Sequence, residues 1–171
     1  MNEFVVRVAR PDDAGAVSDV LRDSYPALMA GAYEPALLAR ALPLMARPQP
    51  RLLASGTFYL CEARGEAVGC GGWSFEPPGG GEREPGIAHI RHFATRSGWA
   101  GRGVGRALYR RCEADARIAG AGELICFSSL NGECFYAALG FARVAAIDVP
   151  MAPGLDLPSI HMRRTIGRKS P

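Results

Sequence analysis

The sequence contains no apolar run that is long enough to span a membrane. Its first residues, MNEFVVRVARPDD, place acidic and basic side chains where a secretory signal peptide requires an apolar segment. We therefore expect a soluble, cytoplasmic protein with no membrane partner. With 171 residues, of which 48% are hydrophobic, the chain is long enough to form one globular domain around a real core.

Metal-ligand and disulfide patterns are also missing. The five cysteines are odd in number and include no CxxC pair, which favours reduced thiols over a disulfide framework or a zinc site. There are three histidines, and His89 and His92 lie on a predicted strand. Residues three apart on a strand face opposite sides of the sheet. The sequence therefore predicts no bound metal.

Positive charge is concentrated at the carboxyl end of the chain. The net charge is +3, and the segment MRRTIGRKSP contributes four basic residues and no acid. The other basic feature is a set of arginines on one predicted helix: Arg106, Arg110, Arg111 and Arg117. Nucleic-acid binding by the tail and this helix is one hypothesis, but a solvated helix face and a frayed tail explain the same charges. We expect no nucleic-acid partner.

Hydrophobic periodicity predicts alternating strands and helices along the chain. The first half reads as a strand, a helix disrupted by Pro26, one or two short proline-bracketed helices, and a hairpin over residues 57–75. The second half reads as a strand at 87–95, a helix at 104–120, a strand at 123–129, a short helix and two final strands. This order, with its early hairpin, predicts an α+β fold with a mixed sheet.

A glycine-rich stretch, GWAGRGVGRALYRRCE, places Gly101, Gly103 and Gly105 between a predicted strand and a predicted helix. Glycine permits positive φ and close approach of the backbone to a ligand. Free N–H groups at a helix start attract an anion such as phosphate. The stretch is not a P-loop, and GRGVG departs from the GxGxxG dinucleotide fingerprint. Taken alone, it is either an anion cradle or a tight strand–helix connection.

Two motifs in the same order, WAGRGVG at 99–105 and YAALGF at 136–141, resemble the core of the GNAT superfamily of N-acetyltransferases. The resemblance is close over residues 87–143 and loose in the amino-terminal half. It implies the GNAT acyl-CoA N-acyltransferase fold, an α+β fold whose mixed central sheet is flanked by helices and splayed between the strands at 87–95 and 123–129. It also implies one N-acetyltransferase domain over residues 1–166, and the composition of residues 167–171 predicts a disordered basic tail.

The same resemblance implies acetyl-CoA as the co-substrate and a primary amine of a small molecule or peptide as the acceptor, with direct attack in a ternary complex. Tyr136 is then the general acid, because a phenol that is protonated at neutral pH can donate to the leaving thiolate. A homodimer is common among similar proteins. The implied cofactor-binding residues are Phe93, Ala94, Thr95, Gly101, Arg102, Gly103, Val104, Gly105, Arg106, Ser129 and Tyr136.

Two positions depart from the family pattern, which often has Arg or Gln at Ala100 and Asn at Ser129. They motivate an alternative, a non-catalytic acyl-CoA-binding or sensor module of the same fold. Glu123 is the predicted catalytic base, with Glu76 and His89 as alternatives, because each lies on or beside a strand of the expected cleft. The following residues either line the acceptor site or belong to the core: Trp73, Phe75, Tyr25, Tyr33 and the segment 36–46.

Overall fold

A computed structural model of the chain describes residues 3–167, in which strands and helices follow the predicted order. The strands are β1 (Val5–Val8), β2 (Phe58–Ala63), β3 (Glu66–Ser74), β4 (Ile87–Thr95), β5 (Glu123–Ser129), β6 (Ala142–Ala152) and β7 (Leu155–Thr165). The helices are α1 (Ala14–Met29), α2 (Pro35–Met45), α3 (Pro50–Leu53), α4 (Val104–Ile118) and α5 (Glu133–Ala138). Residues 168–171 of the predicted tail lie outside the described residues.

The strands form one seven-stranded sheet in the order β1-β2-β3-β4-β5-β7-β6. Neighbouring strands are antiparallel except β4 and β5, which run parallel. The parallel pair is the point where the chain crosses over through α4, as parallel neighbours require. The mixed sheet flanked by helices confirms the predicted α+β fold.

Each face of the sheet carries its own apolar core. On one side, here the α4 face, Val104, Leu108 and Cys112 of α4 pack with a strand set that includes Tyr59 and Cys126. On the other side, here the α1 face, helices α1 and α3 cover a second set: Phe58, Leu60, Cys70 and Ala94. Consecutive strand residues point to opposite faces. Tyr59 of β2 therefore belongs to the α4-face core, whereas Phe58 and Leu60 belong to the α1-face core.

Helix α1 does not end at Pro26, contrary to the sequence prediction. The helix continues to Met29, which is buried in a cluster with Tyr33 and Leu38. Proline has no N–H, so Pro26 leaves the carbonyl of Arg22 without its helical hydrogen bond. Both residues are exposed, so water can hydrogen-bond to that carbonyl. Between residues 3 and 167, no helix combines the length and the apolar character needed to cross a bilayer.

The cysteine thiols differ sharply in accessibility. All five cysteines are unpaired; only Cys134 is exposed, and the buried ones are Cys61, Cys70, Cys112 and Cys126. Burial raises the pKa of Cys61 to about 11 and that of Cys70 and Cys126 to about 12. Since the thiolate is the reactive form, we expect one fast-reacting thiol in the native protein at pH 8 and five after unfolding. Titration with an aromatic disulfide measures both numbers, and a second fast native thiol would contradict the buried assignment.

Candidate active site

The parallel strands β4 and β5 separate after a short paired region, as the resemblance implies. They pair only where Ile87, Ala88 and His89 meet the first three residues of β5. Beyond that point β4 stays paired to β3 as far as Thr95, and β5 stays paired to β7 as far as Ser129. The two strands therefore diverge toward their carboxyl ends and leave a gap in the sheet.

A β-bulge lies on the β4 edge of this gap. Arg91 pairs with Gly72 and Ala94 pairs with Cys70, so two residues of β4 oppose Gly71 alone. His92, the first residue of the bulge, has a φ of 49°. A Cβ on Gly71 would lie 2.5 Å from the Phe93 ring, so only glycine leaves room for that ring. The bulge places the Phe93 ring on the α4 face, where it packs against the core.

The bulge also corrects the predicted placement of two histidines. His92 contacts Gln49 and a small pocket lined by Leu52 and Phe58, which lie on the α1 face. His89 lies on that face as well, because its neighbours Ala88 and Ile90 belong to the α4-face core. The two imidazoles therefore share one face, since the extra residue of the bulge shifts the strand alternation.

The glycine turn follows β4 and opens α4. Gly101 and Gly103 have φ values of 76° and 85°, and Gly103 caps the helix in the left-handed conformation. Ala107 donates the first helical hydrogen bond, to the Gly103 carbonyl at 2.9 Å. The amides of residues 103–106 precede it and have no acceptor within the helix. This turn therefore presents a row of donors at the positive end of the helix dipole, which suits an anion.

Gly105 serves packing rather than the turn. It is already helical, and a Cβ at this position would lie 3.0 Å from the Phe135 ring of α5. Close approach of α4 to α5 brings the glycine turn beside the helix that carries Tyr136. The three glycines of the motif thus have two roles, a left-handed turn and a helix–helix contact.

The two arginines of the turn differ in availability. Arg102 lies 3.1 Å from Glu3 and stacks over the Trp99 ring at 4.9 Å. Arg106 is exposed and forms no ion pair within residues 3–167. On the same helix Arg111 pairs with Asp115 and Arg117 pairs with Glu113. Much of the helix charge is therefore neutralised locally, and Arg106 is the cation best placed to meet an added anion at the turn.

Tyr136 is buried at the gap, with 7% of its surface exposed. Its ring packs edge to face against Phe93 of β4 at a centroid distance of 6.4 Å and against Phe135 at 5.0 Å. Burial raises the pKa of Tyr136 well above its ordinary value, and the nearby Cys126 thiol adds to this effect. The phenol is therefore neutral and holds its proton over the physiological range. The structure brings this residue together with the predicted strand β4 and the glycine turn.

The backbone amides of β4 that are predicted to bind the cofactor point in two directions, toward β3 or toward the gap. Ala94 pairs with Cys70 of β3, and Arg96 donates to the Val68 carbonyl of β3 at 2.9 Å. Amides alternate in direction along a strand, so those of Phe93 and Thr95 face the gap. Ser129 ends β5 on the opposite side of the gap, where it pairs with Ser159.

Glu123 does not join the other predicted site residues. It begins β5 at the paired end of the strand and faces the α1 side, because Leu124 and Cys126 belong to the α4-face core. Its carboxylate forms an ion pair with Arg163. The alternative Glu76 follows β3 and is paired with Arg83. The structure therefore brings neither carboxylate to Tyr136.

Two aromatic residues named as possible acceptor-site residues lie near the gap. Tyr25 of α1 is close enough to Tyr136 to raise the pKa of that phenol, and burial raises the pKa of Tyr25 itself. The Tyr33 hydroxyl accepts from the Leu130 amide at 2.8 Å and donates to the Pro158 carbonyl at 2.7 Å. By contrast, Trp73 is a core residue of the α4 face, with Phe75 packed on it.

The sequence from the hairpin to β6 matches a known family. A family model described as an acetyltransferase (GNAT) domain matches residues 54–143. The chain belongs to the GNAT acetyltransferase family. This GNAT segment contains the whole of β4, the glycine turn, α4, β5 and Tyr136. The match confirms the family that the two motifs predict.

Solved GNAT structures superpose on most of the chain. A GCN5-related N-acetyltransferase from Rhodopseudomonas palustris is 23% identical, with a TM-score of 0.76, over 96% of this chain and 97% of its own. The PaiA N-acetyltransferase from Thermoplasma acidophilum, in complex with coenzyme A, is 15% identical, with a TM-score of 0.70, over 95% and 98%. A GNAT family acetyltransferase from Brucella melitensis, in complex with acetyl-CoA, is 20% identical, with a TM-score of 0.63, over 100% and 93%. At these identities the likeness establishes the GNAT fold, and no curated protein matches the sequence.

Proposed function

We propose that this GNAT protein transfers an acetyl group from acetyl-CoA to a primary amine of a small molecule or peptide, by direct attack in a ternary complex. One observation carries the proposal: the glycine turn, the β4 bulge and buried Tyr136 converge on the gap between β4 and β5. The family match supports acyl transfer, and solved neighbours that contain CoA or acetyl-CoA support the donor.

The donor-binding residues follow from the free amides at the gap. The amides of residues 103–106 and the Arg106 side chain would hold the pyrophosphate. The Phe93 and Thr95 amides face the gap and would hold the pantetheine arm and polarise the acetyl carbonyl. When bound, acetyl-CoA supplies the thioester that the amine attacks. This arrangement needs no side chain at Ala100, because the backbone provides most of the donors.

Tyr136 would protonate the leaving sulfur. Attack by the neutral amine forms a C–N bond and breaks the C–S bond, and the departing thiolate takes the phenolic proton. The raised pKa of Tyr136 keeps that proton available before the bond breaks. Since Glu123 lies at the paired end of β5, we propose that the nitrogen loses its proton to water once the C–N bond has formed, and that the Tyr136 phenolate regains a proton from water.

Two measurements on the intact protein test this function. At saturating acetyl-CoA or CoA we expect the melting temperature to rise by about 5–10 °C, since ligand at 100 times its Kd adds about 2.7 kcal/mol. With a panel of amines, acetyl-CoA should release free thiol at a rate that depends on the amine. No thermal shift would contradict the donor assignment. A shift without thiol release from any amine would favour the alternative, a non-catalytic acyl-CoA sensor.

Arg106→Ala should weaken CoA binding more than Arg102→Ala does. Within residues 3–167 Arg106 has no ion pair to break, whereas Arg102 is held by Glu3 and Trp99. Both side chains are exposed, so we expect the Kd for CoA to rise roughly three- to tenfold for Arg106→Ala. The change for Arg102→Ala should stay near twofold. Calorimetric titration compares the two variants, and equal losses would contradict this ranking.

A further inference from the structure

Arg91 is a buried cation at the start of the gap. It lies two residues beyond His89, the last β4 residue paired to β5, and immediately before the bulge. Its residue surface is only 8% exposed. The guanidinium lies on the α1 face, where it reaches Ser74 of β3 and Gln49 before α3. Arg91 therefore lies on the α1 face of β4, the face opposite the Phe93 ring, and its hydrogen bonds extend toward the β3 side of that strand.

No carboxylate neutralises this arginine within residues 3–167. Its hydrogen bonds go to the Ser74 hydroxyl at 2.8 Å, the Gln49 side-chain carbonyl at 3.0 Å and the Glu76 backbone carbonyl at 3.5 Å. The Glu76 carboxylate, which is on the same side, pairs instead with Arg83. Burial lowers the pKa of Arg91, and the nearby Glu76 carboxylate offsets this effect only in part. A buried charge without a partner is costly, and a bound anion would relieve that cost.

Unsatisfied polar atoms lie on the same face of the sheet as Arg91. His89 is 4% exposed, and its Nδ1 atom has no hydrogen-bond partner within residues 3–167. Across the gap, Phe127 of β5 packs against His89 and against His161 of β7, at centroid distances of 6.2 Å and 5.5 Å. The Nε2 atom of His161 is also buried without a partner. On the same face the Oε1 atom of Glu123 is also buried without a partner. Since buried polar groups are normally paired, these atoms indicate that the face accommodates a polar ligand.

Gln49 marks where an anionic group would bind. Its exposed side chain bridges Arg91 and the first residue of the bulge, with Oε1 at 3.0 Å from Arg91 and Nε2 at 3.1 Å from the His92 ring. The Gln49 amide oxygen accepts a hydrogen bond in the same geometry as a carboxylate oxygen, but it carries no formal charge. A carboxylate that displaced it would form a charge-assisted bond to the guanidinium, about twice as strong as the neutral one.

We propose that the acceptor is an amine that also carries a carboxylate, which Arg91 binds on the α1 face. This inference rests on the proposed acetyl transfer. Arg91 precedes Phe93 by two residues, about 7 Å of strand, and the Phe93 amide faces the reacting end of the gap. The spacing suits a small molecule whose amine and carboxylate are only a few atoms apart, such as an α-amino acid or a short ω-amino acid.

The test compares matched acceptors and matched arginine variants. For wild type, kcat/KM for a short amino acid should exceed that for its carboxamide at least tenfold, after correction for the fraction of neutral amine. Arg91→Gln should abolish this preference and leave the Kd for CoA unchanged, and Arg91→Lys should restore part of it. Arg47→Gln, an exposed arginine two residues before Gln49, is the control and should keep the preference. Equal loss of both acceptors in Arg91→Gln, or no preference in wild type, would overturn the proposal.

A binding measurement separates this inference from the proposed function. With CoA present, the amino acid should raise the melting temperature of wild type but not of Arg91→Gln, and the carboxamide should raise neither. If this pattern holds and no amine releases thiol, the carboxylate site stands and the acetyl transfer is wrong. If amines release thiol without regard to a carboxylate, the acetyl transfer stands and the carboxylate site is wrong.

Discussion

Tyr136→Phe is expected to lower kcat for acetyl transfer by about 10²–10⁴-fold, the range of general acid catalysis. The variant removes the phenolic hydroxyl from the ring that packs against Phe93. The ring contacts with Phe93, Phe135 and Phe141 remain, because phenylalanine keeps the same shape. The Kd for CoA should therefore change less than threefold. Steady-state thiol release and calorimetry measure the two quantities.

Tyr109→Phe is the matched control for this variant. Tyr109 is buried in the same core and packs edge to face on Phe141, as Tyr136 does. Its hydroxyl accepts from Arg164 at 2.7 Å, away from the gap. We expect a loss of stability but a kcat within a few-fold of wild type. Similar kcat losses in both variants would mean that any buried phenol matters, and the acid role of Tyr136 would be wrong.

The same assignment predicts the pH dependence of the reaction. Burial raises the pKa of Tyr136 above its ordinary value of about 10, so the acid stays protonated through pH 9. Amine acceptors lose their proton as pH rises, so kcat/KM should rise from pH 6 to 9. A falling limb in kcat should appear only above about pH 10. A loss of kcat centred below pH 9 would contradict a phenol as the acid.

Gly103→Ala is expected to raise the Kd for CoA about tenfold. An alanine methyl group would meet no atom within 4 Å, so the cost comes from the backbone alone. At a φ of 85° a residue with a Cβ loses about 1–2 kcal/mol. The turn would relax toward negative φ and carry the donor amides of residues 103–106 away from their common direction.

Gly98→Ala provides the control within the same stretch of sequence. Gly98 is exposed, and a Cβ there also meets no atom, but its φ is outside the left-handed region. We expect its Kd for CoA to stay within twofold of wild type. Calorimetric titration of CoA into both variants makes the comparison. If Gly103→Ala binds as tightly as Gly98→Ala, the left-handed turn is not needed for the donor.

The sequence predicted features that depend on neighbours in the chain. The left-handed turn at Gly101 and Gly103 is local, because positive φ is a property of one residue and its type. The interest of Tyr136 came from the family resemblance of the YAALGF motif, since the local sequence alone fits a core aromatic equally well. The splay between β4 and β5 came from the family resemblance, and the register of the two strands confirms it.

Features that depend on pairing across the sheet were missed. The bulge at His92 arises from the register between β3 and β4, and it moves His92 to the face of His89. Burial of Arg91 depends on Ser74 and Gln49, which are distant in sequence. The sequence does indicate that Glu123 lies away from the site. Glu123 alternates with the apolar residues Leu124 and Cys126 along β5, so its side chain faces away from the core that contains them.

The brief pairing of β4 with β5 has a consequence for cooperativity. Within the sheet of the described chain, three residue pairs join the half formed by β1–β4 to the half formed by β5–β7. Few backbone hydrogen bonds cross this seam, whereas each half has its own antiparallel pairing, and side chains of both halves meet in the α4-face core. A ligand bound in the gap contacts both halves, so partial unfolding of either half must release it. Donor binding therefore couples the stability of the two halves, which few backbone hydrogen bonds join directly.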